Sequence, residues 1–149
     1  MIETTEDGYR VKMITEGIYE FNTQVTDDEG NVYTDSVKVK VISQTALDTL
    51  LKTKWDGMKQ AMLNGDAETA ASYFTFETGE RYYDIFTALS DQLPYIAQAM
   101  SEIEPVYFPS NGAKYLIQRV EEVQGTDYII TYFVYFIVDQ DGIWRILRY

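Results

Sequence analysis

The amino-acid sequence predicts an α+β fold, with three N-terminal helices packed on a four-stranded antiparallel meander and a β-hairpin segment ahead of them. Three observations predict it. Apolar residues alternate with a period of two before Ser43, recur with the helical period of 3.6 from there to Met100, and fall into strand-like runs from Ile103 onward. Short turns separate those last runs, so consecutive strands are antiparallel neighbours. Aromatic residues are abundant, with 13 Tyr, 7 Phe and 2 Trp in 149 residues, and such rings suit a pleated, half-buried surface.

Residues 1–8 are polar and read as frayed, and Tyr9 to Met13 alternates weakly. From Ile18 to Val25 the alternation is clear, with Tyr19, Phe21 and Thr23 opposed to Ile18, Glu20 and Asn22. Asp27-Asp28-Glu29-Gly30-Asn31 is turn text, because Asp and Asn bond their own backbone and Gly supplies positive φ. Val37, Val39 and Val41 then share a face opposite Lys38 and Lys40, which completes a hairpin. A hairpin with one apolar face is marginal alone. That face is expected to be covered by the following domain, by a second chain, or by strands of a longer parent.

The helical region opens at a cap, Ser43 or Thr45, and its first stripe is Ala46, Leu47, Leu50, Leu51, Trp55, Met58, Met62 and Leu63. Asn64-Gly65 ends this helix. Asp66 caps a short second one over Ala67 to Phe74, and a third is expected over 80–100 with Tyr82, Ile85, Phe86, Leu89, Leu93, Ile96 and Met100 buried. Pro94 lies inside that third helix and removes a backbone donor, so a kink or break is expected after Gln92. The strands are expected at 103–108, 113–123, 128–138 and 143–149, with turns at Pro109-Ser110-Asn111-Gly112, Gln124-Gly125-Thr126-Asp127 and Asp139-Gln140-Asp141-Gly142.

Composition excludes several classes of function. Asp plus Glu number 24 against 12 Lys plus Arg, and acids outnumber bases on both sides of Ser43. Without a basic patch there is no footing for nucleic acid or for an anionic membrane surface. There is no Cys and no His, so thiol nucleophiles, imidazole acid–base chemistry and the usual zinc sites are out. No apolar stretch is long enough for a membrane-spanning helix. The two Asp-rich turns do not continue into a calcium-binding loop with its terminal Glu, and they read as plain hairpin turns. No metal and no cofactor are expected.

The text Trp55-Asp56-Gly57 to Asn64-Gly65-Asp66, the short Ala-rich helix ending Tyr73-Phe74, and the closing Asp141-Gly142-Ile143-Trp144-Arg145-Ile146 resemble the nuclear transport factor 2-like (cystatin-like) superfamily. The resemblance covers about residues 46–149. It implies a cone between the helices and the concave face of the sheet, in which some members run acid–base chemistry on Asp, Tyr or His. The preceding Gly17 to Val41 looks like the last two strands of a bacterial immunoglobulin-like or polycystic-kidney-disease-type module whose earlier strands are missing. Two domains are expected accordingly, at 1–43 and 44–149. That resemblance implies an exported bacterial protein, extracellular or on the cell surface. The polar, acidic start is unlike a signal peptide, so the chain reads as a fragment of a longer parent.

Within the cone, Tyr82, Tyr115, Arg119, Tyr132, Tyr135 and Trp144 are the candidate pocket residues. The alternative reading of the Tyr residues is a filled core with hydroxyls tied to the backbone. Arg119 is the interior-register charge of its strand, expected to pair with Glu121 or Asp84 or else to meet an anionic ligand. Candidate catalytic carboxylates are Asp84, Glu121 and Glu122, and the run Tyr128 to Val138 contains none. No catalytic residue is therefore assigned, and the chain is expected not to be an enzyme.

Strand 128–138 is apolar in both registers, Ile130, Tyr132, Val134 and Phe136 on one and Ile129, Phe133, Tyr135 and Ile137 on the other. A sheet covered on one side shows a polar outer register. The outer face is thus expected to be covered too, by a second copy or by the hairpin. The function that follows is a non-catalytic interaction or structural module, associating through that face as a homodimer or with neighbouring domains of its parent. A small-molecule binding domain using the Tyr-lined cone is the second reading, and an isomerase- or dehydratase-like enzyme the third.

Overall fold

The computed structural model describes residues 2–6, 8–109 and 111–149. It divides into two compact units, 1–47 and 48–149.

The first unit holds two antiparallel ribbons. Ile2–Thr5 (β1) pairs with Gly8–Val11 (β2), so the segment expected to be frayed contains a strand; Met1 and Asp7 lie outside the described residues. Gly17–Thr26 (β3) pairs with Val32–Val41 (β4) in unbroken register from Gly17↔Val41 to Thr26↔Val32. In the turn between β3 and β4, Asp27 accepts the N–H groups of Glu29 and Asn31, the Asn31 side-chain amide and the Tyr33 hydroxyl. The bonds from Asn31, more than the others, hold the Asp27 carboxyl below the ordinary range. Turn geometry consumes its oxygens.

Helix α1 (Gln44–Leu63) starts where Ser43 Oγ accepts the Ala46 N–H at 3.1 Å. It ends at Gly65, whose φ of 70° lets the Asp66 N–H return to the Ala61 carbonyl at 2.9 Å. Leu51, Trp55, Met58 and Met62 are fully buried along it, the spacing of one helical face. Asp66 caps α2 (Ala67–Ala71) by accepting the Thr69 N–H at 2.9 Å.

The expected third helix is two helices. α3 (Gly79–Ala88) ends at Leu89, a 3₁₀ turn follows at Ser90–Gln92, and α4 (Leu93–Ala99) begins with Pro94 in its first turn. Proline suits that position because its missing N–H would be unpaired there anyway. Beyond the break Leu93 and Ala97 are buried while Ile96 and Met100 of the expected stripe are half-buried, and before it Ile85 on α3 is 37% exposed. Among the described residues there are thus four α-helices, not three.

The sheet is β5 (Glu104–Tyr107), β6 (Gly112–Val123), β7 (Thr126–Val138) and β8 (Trp144–Arg148), in that spatial order and antiparallel throughout. Ser110, expected in the turn before β6, lies outside the described residues. β6 and β7 pair without a bulge from Gly112↔Ile137 to Val123↔Thr126. β5 reaches along β6 only to Leu116, and β8 along β7 only to Tyr135. The far end of the β6–β7 hairpin therefore stands as a two-stranded ribbon. Ala113, Tyr115, Val134, Phe136 and Ile146 form the buried inner face against the helices. On the outer register Val120, Ile129 and Phe133 are exposed.

Candidate functional site

A cleft of about 480 Å³ opens where the inner face of β6–β7 leaves the helix layer. α4 forms one wall. Leu93 and Ala97 anchor it in the core four residues apart, which turns Tyr95, Ile96 and Ala99 toward the cleft. The chain leaves α4 at Met100 in extended geometry. It is clipped there twice: the Trp55 indole N–H donates to the Ser101 carbonyl at 3.2 Å, and Ser101 Oγ donates to the Gln118 carbonyl at 2.9 Å.

The floor is sheet. Ile117 and Tyr132 are direct partners across β6 and β7, and Arg119 is the next inner position along β6. Arg119 forms an ion pair with Glu121 on the same strand and its guanidinium lies 5.8 Å from the Tyr132 ring centre. Tyr149 closes the inner end. It meets Trp55 edge-on at 5.6 Å and stacks with Tyr82 at 5.7 Å, and burial, with Tyr82 beside it, pushes its hydroxyl up to about 12.

Among the described residues no carboxylate lines this cleft. Its walls are largely aromatic and aliphatic, with Arg119 at the mouth and with Ser101, Gln118 and the tyrosine hydroxyls as its other polar groups. Such a site can enclose an apolar body and offer hydroxyls and a cation to a polar end.

Of the six residues expected in the pocket, the structure brings Arg119 and Tyr132 together here. Tyr82 is half-buried outside the cleft, stacked on Phe74 at 3.7 Å, with its hydroxyl bonded to the Tyr149 backbone. Tyr115 is fully buried and donates to Asp48. Tyr135 is on the outer face with the Arg148 guanidinium 4.6 Å from its ring centre. Trp144 is half-buried on β8 and does not line the cleft. Asp84 and Glu122 are exposed and outside it, and Glu121 is taken by Arg119.

Tyr95, Ala99, Ser101 and Tyr149 were not foreseen. Pro94 was the signal for the first of these, since a break at that point frees the next residue from the stripe. Asp48 was also missed, although its Lys52 partner sits at the helical i,i+4 spacing.

In the Asp-rich turn before β8 the carboxylates likewise accept from donors of the chain itself. Asp141 takes both arms of the Arg145 guanidinium at 2.7 Å each, and Asp139 accepts the Phe76 N–H at 2.8 Å.

No protein-family model matches the chain, and no curated protein is similar to it. A solved structure from Campylobacter jejuni, named "Putative NTF2-like transpeptidase", is similar over 72% of this chain and 100% of its own, with 16% identity and a TM-score of 0.41. The expectation that this chain is not an enzyme is not kept, since the similar structure is named for a catalytic activity. The absence of His and Cys removes imidazole and thiol chemistry but leaves hydroxyl and carboxylate chemistry open. The 48–149 unit has helices followed by a four-stranded antiparallel meander, as expected, whereas the immunoglobulin-like module expected ahead of it is not shown.

Proposed function

We propose that the 48–149 unit binds a small amphipathic molecule, with its apolar body between α4 and the sheet and its polar end at Arg119. One observation carries the reading. A concavity of about 480 Å³, within the usual size of ligand sites, is walled by Tyr95, Met100, Ile117, Tyr132 and Tyr149 rather than filled. The test is titration with anilinonaphthalene sulfonate, an apolar aromatic anion, followed by its fluorescence. One saturable site is expected, weakened roughly tenfold or more when Ile117→Trp fills the cleft and unchanged in Ile129→Ser on the opposite face. Equal binding by the folded Ile117→Trp chain sinks the reading.

A second reading, self-association through the outer face of the sheet, is favoured by its charge layout. Lys114 and Arg148 lie at the base over the Phe133 and Tyr135 rings, at 3.6 and 4.6 Å, and Glu122 and Asp127 lie opposite each other near the ribbon tip. Exposed Val120, Ile129 and Phe133 lie between. A two-fold, antiparallel stacking of two copies sets each acidic tip on the other's basic base. Sedimentation should show a dimer that Phe133→Glu dissociates. A monomer at roughly 100 µM, a concentration that populates even weak pairs, overturns it.

A further inference from the structure

A second concavity, of about 590 Å³, lies between the end of α2, the Phe74–Phe76 segment, the first turns of α3 and Arg145 on β8. Its floor is laced to the sheet. The Thr75 N–H donates to the Ile146 carbonyl at 3.0 Å, the Ile146 N–H donates to the Tyr73 carbonyl at 2.9 Å, and the Phe76 N–H is held by Asp139. Phe76 is nevertheless 63% exposed, and Tyr83 across the trough is 44% exposed. Two large rings held in view of solvent inside one concavity are a surface feature that fraying does not explain.

The electrostatics narrow the occupant. Arg145 is the cation lining this trough among the described residues, and it is spent: both arms lie on Asp141, one also reaches Asp139 at 3.3 Å, and its guanidinium packs 4.6 Å from the Phe76 ring centre. It has little left for an anion. Glu68 and Glu80 also line the trough, and neither makes an ion pair among the described residues. Aromatic walls with a negative rim fit a cation carried on an apolar stem. The ring faces attract the charge, the carboxylates take its N–H donors, and the stem lies on the rings.

We propose that this trough binds a Lys or Arg side chain of a partner polypeptide. The net charge of −12 supports a basic protein as the source, because the long-range field draws such a partner to the surface before the trough selects its side chain. The site is separate from the cleft under α4 and stands or falls without it.

The test uses the full chain and a fluorescein-labelled hexa-arginine peptide, followed by anisotropy at physiological ionic strength. Glu68→Gln/Glu80→Gln should weaken binding roughly tenfold, and Phe76→Ser roughly three- to fivefold. Asp91→Asn/Glu104→Gln removes the same charge elsewhere and should change it less than about twofold. Ile117→Trp in the other cleft should leave it untouched. Equal losses in the two double variants would mean diffuse acidity rather than a site, and would overturn the proposal. So would absence of saturable binding to the parent chain. Free argininamide competing as well as the peptide, per cation, would overturn the polypeptide as the occupant.

Discussion

Tyr115, with no exposed surface in the first third of β6, donates its hydroxyl hydrogen to Asp48 Oδ1 at 2.8 Å, while Lys52 Nζ holds Oδ2 at 2.9 Å. The contact joins α1 to the sheet across 67 residues of chain. Burial, and then Asp48 itself, push the Tyr115 hydroxyl far above the ordinary phenol range, so it remains a donor. Burial acts on Asp48 in the raising direction, but the bonds from Lys52 and Tyr115 outweigh it and the carboxyl ends below its ordinary value. The pair is a core tie, and it explains why a tyrosine rather than a phenylalanine fills this position.

Tyr115→Phe removes that tie while preserving the ring. The expected loss is about 1.5–3 kcal/mol, the range for a hydrogen bond to a charged group. Urea unfolding at pH 7 measures it through the midpoint, with an unchanged slope. A variant as stable as the parent would mean that water serves Asp48 equally well.

The same groups set the pH limits of stability. Tyr115 and Tyr149 are raised above the ordinary 10.0, Tyr149 to about 12. Above pH 10 the unfolded chain sheds these protons and the folded chain keeps them, so stability falls as pH rises. Asp48 and Asp141 are lowered from 3.8, Asp141 to about 2. Their contribution is complete above 3.8 and is lost as pH falls through the folded values. Melting temperature against pH should show both flanks, and Tyr115→Phe should flatten the alkaline one. An alkaline flank of unchanged slope in that variant contradicts the assignment.

Gly57 sits in the interior of α1, where glycine is the costlier choice. The reason is Tyr73: a Cβ at position 57 would come within 2.3 Å of the Tyr73 hydroxyl oxygen and 2.7 Å of Cζ. Gly57→Ala alone should destabilise or leave stability flat, because the ring must move. In a Tyr73→Ala background the same change should stabilise by about 1 kcal/mol, the bare propensity gain. A double-mutant cycle on thermal unfolding decides it, and additivity between the two sites would refute the packing account.

How much of this could be read beforehand depends on the range of the interaction. The change of period at Ser43, the Gly65 stop, the Asp66 cap and the pairing of Arg119 with Glu121 are local, set by neighbours within a few residues. The phase of α4 is not local. Pro94 announces a break, yet the size of the rotation is set by Leu93 and Ala97 finding the core, and that rotation decides that Tyr95 lines the cleft. Tyr82 shows the same limit. Its helical register pointed inward, but whether it met a cavity or a ring depended on Phe74 and Tyr149, the latter 67 residues away. The enzyme question lay beyond the inventory, since two missing residue types remove only two chemistries.

The β6–β7 turn offers a gain. Gln124 has φ of 53°, the one non-glycine residue in the left-handed region among those described, and Gly125 follows at 77°. Both angles positive is the two-residue turn that matches strand twist, for which Asn-Gly is the preferred pair. Gln124→Asn should stabilise the hairpin by about 0.5–1 kcal/mol, the strain that a longer side chain carries there. Amide exchange at Glu122 to Tyr128 should slow. Faster exchange would mean that the ribbon gains nothing from its turn.

Arg145 offers the sharpest test of the α2–α3 side of the molecule. Its planar fork meets both oxygens of Asp141 at 2.7 Å, reaches Asp139, and covers Phe76. Lysine keeps the charge but places one point donor where the fork placed two. In Arg145→Lys the Asp141 carboxyl should therefore rise from about 2 toward its ordinary 3.8, since the Arg145 hydrogen bonds are the largest cause of its depression. Carbon-detected NMR titration of that carboxyl reads the shift directly. By linkage the acid flank of the stability curve should become shallower, because less depression leaves less stability to lose as pH falls below 3.8. An Asp141 that still titrates near 2 would show that the bond from the Ile143 N–H, at 3.1 Å, does the holding instead.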